Sequence, residues 1–217
     1  MRLLCLMFLL LGEPAYADLF DAAGRIENAA SEGTCSASLI EPDVILTAAH
    51  CVSDGDSANL FFRLGGAGDV GAVAIERIVV HPLYKSFESQ RFRRLRFDIA
   101  LGKLSQPVDP LDARPLTLGD EATLGEGLFI VSWPRGSGPR PRQRRCVVIE
   151  GRVPAVVTLG CRVRGGESGA PLLRLTDTGV ELVAVVNSRA DQAGQSVALA
   201  SDARLRVAPL LERLRAP

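Results

Sequence analysis

The 217-residue sequence predicts an all-β protein, two small antiparallel barrels or a sandwich, finished by one short C-terminal helix. Three observations predict it. Short aliphatic and β-branched runs recur along the chain. Clusters of Gly, Pro, Asp and Ser separate them, and helical apolar spacing surfaces only in the tail.

The elements follow in chain order. Ala22–Ile26 is cut off by a polar stretch, and Cys35–Ile40 stops at Pro42-Asp43. Val44–Thr47 runs into Ala48-Ala49-His50. Asp54-Gly55-Asp56 then reads as a turn rather than a calcium loop, because the further ligands of such a loop are missing. Leu60–Leu64 ends at a Gly pair, and Val73–Val80 ends just before Pro82. Ile99–Leu104 gives way to the Pro- and Leu-rich stretch Ser105–Leu118, the best candidate for a linker between two halves. In the second half, Leu128–Trp133 stops at Pro134, Cys146–Val153 at Pro154, and Ala155–Thr158 shortly before Gly160. Pro171–Leu175 and Val180–Val186 flank Thr176-Asp177-Thr178-Gly179, which reads as a hairpin turn. In the tail, Val207, Leu210, Leu211 and Leu214 follow i, i+3, i+4, i+7 spacing, with Pro209 expected in the first helical turn. That stripe reads as a packing face. No repeat of fixed period is visible.

The first residues stand apart from this pattern. Met1-Arg2, the apolar run Leu3–Leu11 and Ala15-Tyr16-Ala17 have the layout of a signal peptide of residues 1–17, so a secreted or periplasmic chain starting at Asp18 is expected. The run is too short for a membrane span, and no other segment is long and apolar enough. Removing the leader takes Cys5 with it and leaves Cys35, Cys51, Cys146 and Cys161. Four cysteines in an exported chain suit two disulfides with three possible pairings, of which the spacing favours Cys35 with Cys51 and Cys146 with Cys161. With the cysteines so used and only two histidines present, no metal site can be assembled. Twenty-five basic residues balance 25 acidic ones, so bulk charge does not indicate a nucleic-acid partner.

Three short stretches carry the candidate chemistry. A serine hydroxyl is a poor nucleophile until an imidazole takes its proton, and the attacked carbonyl needs hydrogen-bond donors for its developing charge. His50 follows an apolar strand and precedes Cys51, so a Cys35–Cys51 bridge would pin it to the neighbouring strand; a histidine in such a place also has a purely structural reading. Asp98 heads the apolar run Ile99-Ala100-Leu101, where an unpartnered carboxylate is costly to bury, the alternative being a solvated strand end. Gly165-Gly166-Glu167-Ser168-Gly169-Ala170-Pro171 offers a hydroxyl flanked by small residues that admit backbone amides to a substrate.

Together these residues resemble the trypsin-like (chymotrypsin-fold) serine peptidases. Thr47-Ala48-Ala49-His50-Cys51, Asp98-Ile99-Ala100-Leu101 and Gly166-Glu167-Ser168-Gly169-Ala170-Pro171 resemble the family's three motifs in the family's order, and His81-Pro82-Leu83-Tyr84 resembles a segment upstream of its aspartate. The resemblance runs from about Ala22 to the C-terminus. It implies two six-stranded-type barrels with a cleft between them: residues 18–110, then 119–204, then the helix 205–217. It also implies a secreted serine endopeptidase without cofactor, acting on polypeptides. His50 is then base and acid, Asp98 its orienter, Ser168 the nucleophile, and the amides of Gly166 and Ser168 the oxyanion hole. A catalytically silent binding protein of the same fold is the alternative, and ester hydrolysis or acyl transfer by the same residues a third.

The sequence also departs from the family. Glu167 replaces an aspartate that, in zymogen-activated members, receives a newly cut N-terminus. Arg25-Ile26 superficially resembles such a cleavage site, but Gly24-Arg25-Ile26 reads as the first strand. Cys146 and Cys161 resemble the bridge of bacterial secreted members. Arg162, six residues before Ser168, takes the position at the base of the family's specificity pocket, where it would favour an acidic side chain, or else point away or fill the pocket. Asn187, Ser188 and Arg189 would line the cleft and pair with an extended substrate. Two basic stretches remain, Arg91–Arg96 and the loop Arg135–Arg145. The second is either a patch for anionic polymers, lipid headgroups or acidic substrates, or a solvated loop.

Overall fold

The computed structural model describes residues 20–31, 33–53, 57–65, 71–85, 91–136, 138, 140–150 and 154–216. The expected leader 1–17 and the expected Asp54–Asp56 turn lie outside them. Six strands make the first unit: β1 (Ala23–Asn28), β2 (Thr34–Glu41), β3 (Val44–Thr47), β4 (Leu60–Leu64), β5 (Val73–Val80) and β6 (Ala100–Leu104). They close in the order β1-β2-β3-β6-β5-β4. Closure removes the unpaired edges that an open sheet of this size would expose. Arg25-Ile26 sits within β1, where Ile26 faces Cys35 on one side and Phe62 on the other. It is strand, as its sequence reads, and no exposed loop.

The second unit contains β7 (Thr117–Leu118), β8 (Gly127–Ser132), β9 (Arg142–Glu150), β10 (Val156–Leu159), β11 (Pro171–Thr176), β12 (Gly179–Gln192) and β13 (Gln195–Asp202). Its order is β11-β8-β9-β10-β13-β12, and β12 pairs back onto β11, so six strands again close. The architecture is therefore two barrels and not a sandwich. The two-residue β7 adds to β12 in parallel. Among the described residues two α-helices complete the fold, α1 (Arg91–Arg96) and α2 (Arg204–Arg215). Among the described residues no helix is long and apolar enough to cross a membrane.

The cores explain how the units are joined. Leu39, Ile45, Phe62, Ile75 and Leu101 fill the first barrel at no more than 1% exposure. The same apolar cluster continues into the interface through Val131, Trp133, Leu173 and Val185, and under α2 through Val207, Leu210 and Leu214. A second cluster around Leu128, Ile130, Leu159, Leu172 and Val183 fills the second barrel. The Ser105–Leu118 segment is fastened down along its length: Val108 and Leu116 donate backbone hydrogen bonds to the Pro42 and Leu39 carbonyls, at 2.7 and 2.9 Å. Both side chains are buried.

Several boundaries differ from the sequence reading. Strand β9 begins at Arg142 rather than Cys146, so part of the supposed loop Arg135–Arg145 is ladder. Strand β12 runs on past Val186 to Gln192, with a register shift between Val186 and Ser188. Strand β13 is an Ala/Ser-rich run buried on both faces from Val197 to Asp202, so it shows no alternation. Helix α1 has six residues, too few for a periodic pattern to emerge. In α2, Pro209 lies well inside the helix rather than in its first turn. It is tolerated because the carbonyl it orphans belongs to Leu205, which shares its exposed face and can be hydrated.

Candidate functional site

His50 is delivered by a short, rigid sequence of events. Strand β3 is buried at all four positions, and the chain leaves it through a single tight turn over Ala49–Cys51. Cys51 is bridged to Cys35 on β2 across 16 residues of sequence, which anchors that turn to the neighbouring strand. The second predicted pair, Cys146–Cys161, also forms a disulfide.

Asp98 arrives from the other side of the same barrel. Helix α1 unwinds through Phe97 and Asp98, whose amides donate to the Arg94 and Leu95 carbonyls at 3.2 Å, and the chain enters β6. Asp98 is 4% exposed. One carboxylate oxygen accepts the His50 backbone N–H at 2.9 Å and the other the ring at Nδ1, 2.7 Å away. Against a carboxylate Nδ1 is the donor, which in the neutral ring leaves the lone pair on Nε2. Its 3.8 Å approach to Cys51 Sγ is then a contact rather than a hydrogen bond. From the second barrel, Asn187 Nδ2 donates to the Asp98 carbonyl at 2.5 Å, while its Oδ1 accepts the Ser201 N–H at 3.1 Å.

The loop that carries Ser168 is held from three directions. Glu167 is fully buried and accepts Ser132 Oγ at 2.8 Å and the Arg164 amide at 2.5 Å. It also makes a close ion pair with the Arg144 guanidinium, which in addition donates to the Arg162 carbonyl. From the first barrel, Ser36 donates its amide to the Ser168 carbonyl at 2.7 Å. Its hydroxyl donates to the Gly166 carbonyl at 3.0 Å and accepts the Trp133 N–H at 3.1 Å. Gly166 and Gly169 adopt φ values of +91° and +80°, the region that favours glycine. Among the described residues, the amides of Gly166 and Ser168 donate to no protein acceptor, whereas those of Glu167, Gly169 and Ala170 are all engaged. The Ser168 hydroxyl donates to the Asn187 carbonyl at 3.3 Å.

The predicted residues are thus gathered at one cleft, with one exception. His50, Gly166 and Ser168 line a common cavity. A second cavity of about 300 Å³ beside Ser168 is walled by Val163, Val186, Asn187, Ser188, Arg164 and Arg189. Arg162 is exposed and does not line it. Its carbonyl is tied to Arg144, and the chain turns so that Val163 faces inward and Arg162 outward. Of the positions expected for Arg162, this arrangement matches the one that points away from the pocket. The basic stretch divides as well: Arg135 lines the cleft, Arg140 and Arg142 are exposed, and Arg144 turns inward to Glu167. Cys35, His50 and Cys51 bring ligand-type atoms within 4.8 Å of one another, but both sulfurs are committed to a disulfide, so the group is no metal-binding set.

Two site residues escaped the sequence reading, and a third, Asn187, was read only as lining the cleft. Ser36 lies 130 residues from its Gly166 partner, and Arg144 lies 23 from Glu167; no local pattern announces either. The Asn187 side chain left a faint signal, a polar residue ending an apolar strand run. Compared with known families, the chain matches the family model described as Trypsin over residues 11–200.

Proposed function

Since the chain belongs to the trypsin family of serine peptidases, we propose that it is an exported endopeptidase that hydrolyses peptide bonds through an acyl-enzyme on Ser168. The observation that carries this reading is the 2.7 Å contact of His50 Nδ1 with the buried Asp98 carboxylate, in a cavity that also contains Ser168. Asp98 fixes the tautomer and supports the imidazolium that forms. Nε2 takes the proton as Ser168 Oγ attacks, then gives it to the leaving amine. The oxyanion is received by the amides of Gly166 and Ser168, and water repeats the sequence to release the acid. An extended substrate adds alongside β12 at Ser188–Arg189, beyond the last β11 pairing at Val185.

The Ser168 hydroxyl rests on Asn187 and must turn toward His50, a move between staggered rotamers about one bond. That resting position is the one observation favouring a silent binding protein. The buried Arg144–Glu167 pair supports a serine loop that is formed without a cut N-terminus, since an internal cation already meets the carboxylate. Two disulfides support folding in an oxidising compartment, consistent with a cleaved leader ending at Ala17. A fluorophosphonate probe should label the mature protein on Ser168, with no label on Ser168→Ala and strongly slowed labelling of His50→Ala. A folded, disulfide-bonded sample that takes up no probe would sink the peptidase reading.

A further inference from the structure

The chain is electrically neutral overall, with 25 basic and 25 acidic residues, yet the cleft is not. Three cavities meet at His50 and Ser168, and their walls carry four arginines: Arg135 in one, Arg164 and Arg189 in the next, Arg94 in the third. Among the described residues the single acid in those walls is Asp98, which is buried and already committed to His50. Elsewhere the balance is different. A groove between the inter-barrel strap and the β11–β12 turn is lined, among the described residues, by Asp21, Asp112 and Glu181 with Arg114 as the one cation opposing them. The positive charge is therefore local to the site, where low-dielectric walls strengthen its field.

The cavity beside Ser168 shows what that charge fits. Its apolar walls, Val163 and Val186, suit the methylenes of a side chain of modest length. The Ser188 hydroxyl is buried there and, among the described residues, has no hydrogen-bond partner, a condition that ordinarily costs stability unless a ligand relieves it. Arg164 and Arg189 are exposed at the same cavity. The Arg164 backbone is fixed by the hydrogen bond its N–H donates to the Glu167 carboxylate. A carboxylate accepts from guanidinium and hydroxyl donors together, whereas a lysine or arginine side chain would meet like charge.

Building on the peptidase reading, we propose that the substrates are acidic polypeptides. The residue before the scissile bond is a glutamate or aspartate held by Arg164, Arg189 and Ser188, and flanking acids are drawn by Arg135 and Arg94. The specificity thus comes from the two arginines either side of the catalytic loop, not from Arg162.

The test uses matched peptides that differ only in Glu or Gln before the cleaved bond, assayed with enzyme titrated by a fluorophosphonate. The expected kcat/KM ratio is at least about tenfold in favour of Glu, the range of one charge-assisted hydrogen bond, and it shrinks as salt is raised. The R164E/R189E variant should reverse the order and favour a Lys peptide, a gain that misfolding does not produce. Equal turnover of Glu, Gln and Leu peptides by labelled enzyme, or a Glu preference that survives the double charge reversal, overturns the proposal. Binding of the same peptides to Ser168→Ala, followed by fluorescence anisotropy, decides the specificity even if no labelling occurs. Tighter Glu binding there upholds the acidic preference while the peptidase reading fails, and equal binding removes it.

Discussion

A methyl group at position 166 has nowhere to go. A Cβ there would fall 2.5 Å from the Trp133 carbonyl oxygen and 2.7 Å from the Arg135 nitrogen, all backbone atoms that cannot step aside. The φ of +91° adds a conformational penalty for any L side chain. Gly166→Ala is therefore expected to turn its amide away from the cleft and lose about 10²–10³ in kcat, the usual effect of removing one oxyanion donor. KM should move little and the thermal transition should stay cooperative; retention of wild-type kcat would refute the assignment. At this scale the sequence was legible where chemistry demands a residue type. A base, a carboxylate and a hydroxyl among small residues need His50, Asp98 and Ser168, whatever holds them. The groups that do the holding were not legible. Ser36 and Arg144 act through partners brought close only by barrel closure, and a serine or an arginine in a strand is unremarkable until that closure is known.

The serine loop and strand β9 form one element through the Arg144–Glu167 pair. Glu167 is fully buried and the Arg144 side chain is 23% exposed, so removing the cation leaves a carboxylate without a counter-charge in the protein interior. Arg144→Met should cost about 3 kcal/mol, the lower end for breaking a buried pair, and should disorder the 164–168 turn before the barrels. The expected readout is a lowered melting temperature together with loss of fluorophosphonate labelling. Arg144→Met combined with Glu167→Gln should recover much of the stability, because the stranded charge is gone. If the single variant is as stable and as reactive as wild type, the pair does not hold the loop. The strands that the sequence foretold are those with bulky apolar residues and a clear breaker at each end. Those it missed have physical excuses: β13 uses Ala and Ser where two packed faces leave no room for more, and β12 continues through Asn187 and Arg189 because its far end borders the cleft instead of the core.

At the scale of the whole molecule, α2 carries the end of the chain from the second barrel back to the first, and His81 sits where the two meet. Its ring stacks on Phe97 with centroids 4.8 Å apart, and Arg206 of α2 lies over the same Phe97 ring at 5.6 Å. The Leu83 amide donates to His81 Nδ1 at 3.2 Å. Burial first, then the Arg206 and Arg213 charges, lower the His81 pKa below the ordinary histidine value. The sign follows from linkage. The unfolded chain takes up this proton more readily than the folded one, so the contribution to stability is full above the ordinary value of about 6.5 and is lost as pH falls through it toward the folded value. Only one other histidine exists, His50, so a His50→Gln background isolates the effect. In that background the melting temperature should fall as pH drops from about 7.5 to 5.5, and His81→Gln should flatten the slope by the share this histidine contributes. Parallel curves with and without His81 would show that the junction between α2 and the first barrel is indifferent to its charge. A flattened curve would tie the acid sensitivity of the fold to the helix that closes it.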